Sequence, residues 1–197
     1  MTSNRNGLIR GASIDGDLEA FVRYEGTPSM SPPLPKIYLA GPLGFSELGR
    51  AGQVKIARLL TNAGYEVVDP FALAPADEIN RINGLASLDA QRDAWRALNF
   101  RIGETNARAI DASDAVLAIL DGPDVDSGTA AEIGYACARR KPIVGYRSDF
   151  RLSADNIGSI VNLQVEYFIR ASGGVTVTAA TDIPNAISRA LSTRAST

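Results

Sequence analysis

Two carboxylates, Asp126 and Glu132, lie six residues apart in the segment DSGTAAEIGYACA (126–138). A carboxylate that attacks an anomeric carbon forms a covalent sugar ester, and a second carboxyl group about 5 Å away protonates the leaving group. The two groups reach such a separation if the turn at Gly128 folds back. The residue types therefore fit chemistry at a glycosidic bond.

The same segment also fits a purely structural role. Thr129 and Glu132 match a capping box, in which a hydroxyl and a glutamate satisfy each other's backbone amides at a helix start. A carboxylate in the first helical turn also feels the positive end of the helix dipole, which favours its ionised form. Capping and catalysis both stay open on this stretch alone. For Asp121 and Asp124 we expect hydrogen bonds to nearby backbone amides in the turn.

The composition limits the classes of chemistry that are available. The chain has 197 residues, no histidine and a net charge of −2. Ser-His-Asp and Cys-His nucleophile systems and imidazole metal sites are therefore excluded. The balanced charge favours neither a nucleic-acid polymer nor a membrane as partner. The apolar runs at 115–120 and 142–146 are too short to cross a bilayer, and the N-terminus lacks an apolar signal region, so we expect a cytoplasmic protein.

The elements that must position these residues begin near Lys36. Residues 1–34, with four prolines in EGTPSMSPPLP (25–35), predict a mobile extension or linker, and 35–197 predict one domain. Short apolar runs then alternate with longer amphipathic ones. The predicted strands are 36–41, 65–70, 114–122, 142–147 and 174–179. The predicted helices are 49–63, 88–111, 129–140 and 183–193, with a short turn-helix within 153–170.

Five strands that alternate with helices indicate a doubly wound α/β domain with right-handed crossovers. Such sheets bind ligands at the carboxyl ends of their strands, which points to the segments after the first, third and fourth strands. After the first strand, Gly41 permits close backbone approach to a ligand. Phe45 either stacks on a flat base or packs in the core. The absence of G-x-G-x-x-G and of a P-loop motif argues against a dinucleotide or P-loop enzyme.

Four blocks of this sequence resemble the nucleoside 2-deoxyribosyltransferase family, in the family's order and over roughly residues 36–170. The blocks are KIYLAGPLGF, NARAIDASDAVLA, DSGTAAEIGYA and NLQVEYF. The resemblance implies a flavodoxin-like fold, with a five-stranded parallel sheet and helices on both faces. It also implies exchange of a purine or pyrimidine base on a 2-deoxyribose.

The resemblance assigns roles to particular residues. Glu132 is expected to be the nucleophile that forms the deoxyribosyl-enzyme, and Tyr38 to orient it by a hydrogen bond. Asp126 is expected to contact the base or sugar and to assist proton transfer at the leaving nitrogen. Asn106 stands where some members have an aspartate that contacts the base, so it keeps hydrogen bonding but loses a titratable group. Gly128, with Gly41 and Phe45, completes the expected substrate contacts along this part of the chain.

The resemblance also implies an active site shared between subunits. Asn162 matches an asparagine that reaches a neighbouring subunit's site and binds the sugar 5′-hydroxyl, and Gln164 lies at an adjacent contact. We therefore expect at least a homodimer that acts on a small nucleoside and a free nucleobase. The family needs no metal or organic cofactor, which suits a chain without histidine.

Three other functions compete with base exchange. Some relatives hydrolyse nucleoside 5′-monophosphates, but the segment after the first strand offers only Ser46 and Arg50 as phosphate contacts. Cytokinin-activating phosphoribohydrolases carry the motif P-G-G-x-G-T-x-x-E. The stretch from Gly128 to Glu132 matches the end of that motif, but DVDS replaces its P-G-G portion. A nucleoside-binding sensor is the third alternative, and it has no need of the two carboxylates.

Overall fold

The computed structural model describes residues 32–195, so the predicted N-terminal extension lies outside the described residues except at 32–34. Five parallel strands form one sheet in the order β2-β1-β3-β4-β5. They are β1 (Lys36–Ala40), β2 (Glu66–Val68), β3 (Ala115–Ile119), β4 (Ile143–Tyr146) and β5 (Thr176–Val177). The predicted five-stranded parallel sheet is confirmed, although β5 has two residues where the pattern predicted six.

Among the described residues, six α-helices connect or follow the strands. They are α1 (Glu47–Asn62), α2 (Ala76–Asn83), α3 (Leu88–Ala112), α4 (Ser127–Ala138), α5 (Leu163–Ala171) and α6 (Ile183–Ala195). Helix α2 was not predicted, because its eight residues are too few to show a sustained apolar period. The predicted turn-helix at 153–170 is wrong over its first half, since regular helix begins only at Leu163.

Alternate side chains of the strands build a separate apolar core on each face of the sheet. On one face Ile37 and Leu117 pack with residues of α1 and α6. On the other face Tyr38 and Val116 pack with residues of α3, α4 and α5. Because strand side chains alternate between faces, Tyr38 is directed toward the side that carries α4. All five residues of β3 are buried, as expected for a central strand of a parallel sheet.

The strand order indicates a ligand crevice at the carboxyl ends of β1 and β3. From β1 the chain moves outward to β2, and it then returns to place β3 on the other side of β1. In this topology the crevice at the carboxyl ends of the first and third strands is the usual ligand site. Gly41 follows β1, and the segment to Asp126 follows β3. None of the helices in residues 32–195 combines the length and apolarity needed to cross a bilayer.

Candidate active site

A cavity of about 390 Å³ opens at this crevice and brings together most of the predicted site residues. Gly41, Phe45, Asn106, Asp126, Gly128 and Glu132 all line it. Its remaining walls come from the segment after β2, from helix α3 and from the first turn of α4. These further lining residues are Pro70, Phe71, Ala74, Trp95, Asn99, Ile102 and Thr129.

Tyr38 does not line the cavity, but it contacts the predicted nucleophile, which does. Its side chain is fully buried, and its hydroxyl donates a hydrogen bond to Glu132 Oε1 at 2.6 Å. Burial raises the pKa of the Tyr38 phenol first, and the hydrogen bond to Glu132 and the charges of Glu132 and Asp69 raise it further. The phenol therefore stays protonated and acts as a fixed donor that orients one carboxylate oxygen.

The Glu132 carboxyl group is half-buried, and its pKa lies above the ordinary glutamate range. Burial is the largest cause of this upward shift. The hydrogen bond from Tyr38 opposes the shift, whereas the nearby charge of Asp126 adds to it. A partly desolvated carboxylate with one oxygen held and the other available is suited to attack an electrophilic carbon.

The structure changes the role that the sequence predicted for the start of α4. The helix begins at Ser127, and its N-cap is Asp126 rather than Thr129. Asp126 Oδ2 accepts hydrogen bonds from the Thr129 amide at 3.0 Å and from the Thr129 hydroxyl at 3.2 Å. The capping-box alternative is therefore wrong, because Asp126 caps this helix and Glu132 lies in its second turn. Glu132 is therefore not part of the cap, and it lies beyond the first turn, in which the helix dipole was expected to favour its ionised form.

The two predicted glycines serve local packing as well as lining the cavity. A Cβ on Gly41 would lie 2.8 Å from the Ile119 Cβ, so the chain leaving β1 needs glycine to pass the end of β3. A Cβ on Gly128 would lie 3.1 Å from Asp126 Oδ2. Gly128 is the second residue of α4, not the predicted turn before it.

An aromatic pair forms one wall of the cavity. The rings of Phe45 and Phe71 meet edge to face with centroids 4.9 Å apart. Phe71 packs directly on the Gly44 backbone, where an added Cβ would lie 2.3 Å from the ring. Phe45 is 76% exposed, so it is not a core residue. Exposed rings beside a cavity are suited to stacking on a flat heterocycle.

Helix α3 contributes a further wall, which includes the predicted site residue Asn106. Trp95, Asn99, Ile102 and Asn106 follow one another at steps of four, three and four residues, which places them on one helix face. Asn106 Oδ1 is buried without a hydrogen-bond partner among the described residues. Asn99, Trp95 and Phe71 were missed as site residues. The regular spacing from Asn106 back to Asn99 and Trp95 was the signal that pointed to two of them.

Asn162 and Gln164 do not line this cavity in the chain described. Asn162 is the N-cap of α5, and its Oδ1 accepts from the Gln164 amide at 3.0 Å. Its amide nitrogen donates to Asp155 at 3.3 Å. The expected contact of these residues with a neighbouring subunit's site stays a prediction.

The loops after β3 and β4 hold each other in place beside the cavity. The Arg147 side chain is 2% exposed and donates to three backbone carbonyls, those of Leu120, Gly122 and Arg151. In the reverse direction, the Asp121 carboxylate accepts from the amides of Ser148 and Asp149 and from the Ser148 hydroxyl. We call these six hydrogen bonds the loop latch. The latch fixes the start of the segment that leads to Asp126.

Within residues 32–195 no group of three or more acidic or cysteine side chains is placed to hold a metal ion. The expectation that the chain works without a metal or organic cofactor stays a prediction.

Known proteins support the family resemblance. The family model described as nucleoside 2-deoxyribosyltransferase matches residues 37–166. A conserved protein from Enterococcus faecalis V583 has a similar crystal structure, with 25% sequence identity and a TM-score of 0.60. That match covers 79% of this chain and 98% of the other. The fold is also similar to that of a 2-desoxiribosyltransferase from Leishmania mexicana, with 23% identity, a TM-score of 0.53 and coverage of 80% and 97%.

A curated relative is an uncharacterised protein of Schizosaccharomyces pombe, 30% identical over 112 residues. The match covers 49% of this chain and 53% of the relative, so the chain spans about half of that protein's length. The family match over residues 37–166 carries the assignment by itself, and it confirms the resemblance seen in the four sequence blocks. The chain belongs to the nucleoside 2-deoxyribosyltransferase family, an enzyme family that acts on nucleosides.

Proposed function

We propose that this protein transfers 2-deoxyribose between nucleobases through a covalent ester on Glu132. The observation that carries the proposal is the hydrogen bond of 2.6 Å from the Tyr38 hydroxyl to Oε1 of Glu132, a residue that lines the cavity. Binding alone has no need of an oriented, partly desolvated carboxylate. Nucleophilic attack on a sugar carbon does need one.

The reaction has two steps. In the first, a Glu132 oxygen bonds to C1′ of the bound deoxynucleoside while the bond from C1′ to the base nitrogen breaks. The electron pair of that bond goes to the departing base, which takes up a proton with the assistance of Asp126. In the second, a nitrogen of another base attacks C1′, the ester bond breaks and Glu132 regains its carboxylate. The incoming nitrogen loses its proton, so atoms and charge balance over the cycle.

The walls of the cavity suit the two parts of the substrate. Phe45 and Phe71 offer ring surfaces on which a flat base stacks. Asn99 and Asn106 offer carboxamides, each of which donates and accepts hydrogen bonds along a base edge. The carboxylates of Asp126 and Glu132 lie at the α4 side of the same cavity, where the sugar must sit for attack at C1′.

We further propose that Asn162 completes the sugar site of a second subunit in a homodimer or higher homo-oligomer, with Gln164 beside it. Asn162 lies at a helix start away from the cavity of its own chain. The exposed face around it includes Leu163 at 49% and Tyr167 at 60%, so it offers apolar surface for contact with another copy.

The test of the reaction is base exchange with a trapped intermediate. The protein is incubated with a deoxynucleoside and a different free base, and both products are quantified by chromatography. A deoxynucleoside bearing the new base supports the transferase. Release of free sugar alone would instead identify a glycoside hydrolase, and no turnover would identify a binding protein.

The intermediate is sought separately by rapid acid quench and peptide mass spectrometry. A deoxyribosyl mass on the peptide that contains Glu132 is the expected result, and the Glu132→Gln variant is the matched control. A fully active enzyme that never carries a sugar on residue 132 would contradict the covalent route.

The shared site is tested by mixing two inactive variants. Glu132→Gln and Asn162→Ser chains, combined and allowed to exchange subunits, are expected to recover activity, because mixed assemblies contain sites with both residues intact. Serine is chosen at 162 because it still caps α5. A mixture that stays as inactive as its components would contradict sharing of the site between subunits.

A further inference from the structure

A second cavity, of about 300 Å³, adjoins the candidate active site and extends the space beyond its base side. The two cavities have four lining residues in common: Pro70, Ala74, Ile102 and Asn106. Asn106 therefore stands at their junction, between the space that holds the two carboxylates and a space that lies between α2 and α3.

Six of the ten residues that line the second cavity are apolar. Leu73 and Pro75 line it from the segment before α2, and Leu98 lines it from α3. Its charged lining residues, Glu78 and Arg101, form an ion pair with each other. Because these two charges are paired with each other, the cavity offers an ionic ligand no unpaired counter-charge. An uncharged group that contacts the apolar lining residues therefore suits it better.

Asn106 lacks a partner at the junction of the two cavities. Its Oδ1 is buried and accepts no hydrogen bond from the described residues. An unpaired buried acceptor costs about 1–3 kcal/mol, and the terminal torsion of an asparagine side chain turns readily. Asn106 lines both cavities, so a turn of the carboxamide about this torsion would direct the oxygen into that space, where a ligand N–H would satisfy it.

We infer that the base site continues past Asn106, and that the enzyme accepts nucleobases whose exocyclic nitrogen carries an apolar substituent. The single N–H of such an amine donates to Asn106 Oδ1, and the substituent enters the second cavity. This inference rests on the proposed base exchange, for which it specifies the class of base.

The test compares acceptor bases in the exchange assay with one common deoxynucleoside donor. The acceptors are adenine, its derivatives with a methyl or a benzyl group on the exocyclic nitrogen (N-methyladenine and N-benzyladenine), and 6-benzyloxypurine. In the last of these, an ether oxygen replaces the exocyclic N–H of N-benzyladenine. We expect N-benzyladenine to be used with a kcat/KM at least equal to that of adenine. The ether is expected to be about tenfold poorer than its amine counterpart, because it leaves the Asn106 oxygen unpaired.

Two variants test whether the benzyl group binds in the second cavity. Thr105 lines the second cavity but not the first, and its side chain is exposed on α3. Thr105→Trp fills the second cavity and is expected to lower the ratio of N-benzyladenine to adenine use more than tenfold. Gly103→Trp is the matched control on the same helix, since a Cβ there meets nothing within 4 Å and the residue lines neither cavity. The control is expected to leave the ratio unchanged.

The outcomes separate this inference from the proposed function. If adenine is exchanged but N-benzyladenine is rejected, or if Thr105→Trp leaves the ratio unchanged, the extended base site is overturned while the transferase stands. If no base is exchanged, the transferase fails. In that case, calorimetry measures the affinity of N-benzyladenine for the wild-type protein and for Thr105→Trp, which tests the extended site independently of turnover. Weaker binding to the variant is expected, and equal affinities would overturn the extended site.

Discussion

Tyr38 on β1 and Glu132 on α4 are 94 positions apart in the chain and are joined by a hydrogen bond of 2.6 Å. The bond favours the ionised form of Glu132, against burial and against the charge of Asp126, both of which raise its pKa. A residue of the sheet thus partly offsets the rise that burial causes in the pKa of a carboxyl group on a helix. Tyr38 and Asp126 shift the pKa of Glu132 in opposite directions, so substitutions at these two positions are predicted to have opposite effects.

Tyr38→Phe is predicted to raise the pKa of Glu132 further, since the contact that lowers it is removed. The nucleophile must be ionised to attack, so the acid limb of the kcat/KM profile should move to higher pH. The profile is measured for both proteins between acid and neutral pH with the same deoxynucleoside. An acid limb that stays in place would show that this hydrogen bond does not tune the nucleophile.

Asp126→Asn is predicted to shift the pKa of Glu132 in the opposite direction, because a neighbouring negative charge disappears. The measurement is an NMR titration of carbon-labelled glutamate side chains, which does not depend on turnover. Turnover should fall strongly, since a carboxamide cannot assist proton transfer to the leaving base as a carboxyl group can. An unchanged rate would remove Asp126 from the mechanism.

Asp126→Ala tests the second role of this residue, as the N-cap of α4. Relative to Asp126→Asn, which keeps a capping side chain, we predict an additional loss of about 1 kcal/mol in the free energy of unfolding. Urea denaturation of the two variants measures the difference. Equal stabilities would mean that the hydrogen bonds to Thr129 contribute little to the helix.

Glu132→Gln is predicted to remove activity and to change how stability depends on pH. The pKa of Glu132 is higher in the folded state than in the unfolded state, so ionisation costs stability as the pH rises through the folded-state value. Below the unfolded-state pKa this cost is absent. The variant should therefore gain stability over the parent from acid to neutral pH, as measured by urea denaturation at several pH values. A constant difference would contradict the raised pKa.

The loop latch is predicted to contribute substantially to stability and to the placement of Asp126. Arg147→Met leaves three carbonyl groups without their charged donor, and a hydrogen bond to a charged group is worth about 1.5–3 kcal/mol. Asp121→Ala removes the reciprocal bonds. Because both residues join the same two loops, the double variant should lose less than the sum of the single losses. Strict additivity would show that the two halves of the latch act independently.

Gly44→Ala is predicted to weaken base binding without altering the carboxylates. The added Cβ would lie 2.3 Å from the Phe71 ring and must displace it from the cavity wall. Aromatic stacking on a base is worth about 1–3 kcal/mol, so KM for the base should rise roughly tenfold. Gly52→Ala on α1 is the control, since a Cβ there meets nothing within 4 Å. Equal KM values for the two variants would argue against stacking on this wall.

Much of the fold was predictable because the strands differ clearly from the helices in apolar period. The buried run Ala115–Ile119 and the longer amphipathic pattern that became α3 left little ambiguity. The short elements were not predictable. Helix α2 has eight residues and depends on the burial of Ile82 against the rest of the fold, which no local pattern reveals.

The sequence predicted the site residues that belong to recognisable motifs. It did not predict those that reach the site only through the tertiary structure. Glu132, Asp126 and Tyr38 belong to the blocks that resemble the family, and the structure brings them together at the cavity. The capping box at Thr129 was a local pattern, and an aspartate three residues earlier proved the better cap. Phe71 lies in an irregular segment after β2, where no local pattern predicts its position. Its ring packs on the backbone of Gly44, which is distant in the sequence.

The candidate site draws its two halves from separate stretches of the chain, with the proposed base walls before β3 and the two carboxylates after it. Under the proposed function, substitutions in the α2–α3 region are therefore expected to alter which heterocycle is taken up while the sugar chemistry continues unchanged. Base preference and reaction chemistry then become two separately adjustable properties of one chain.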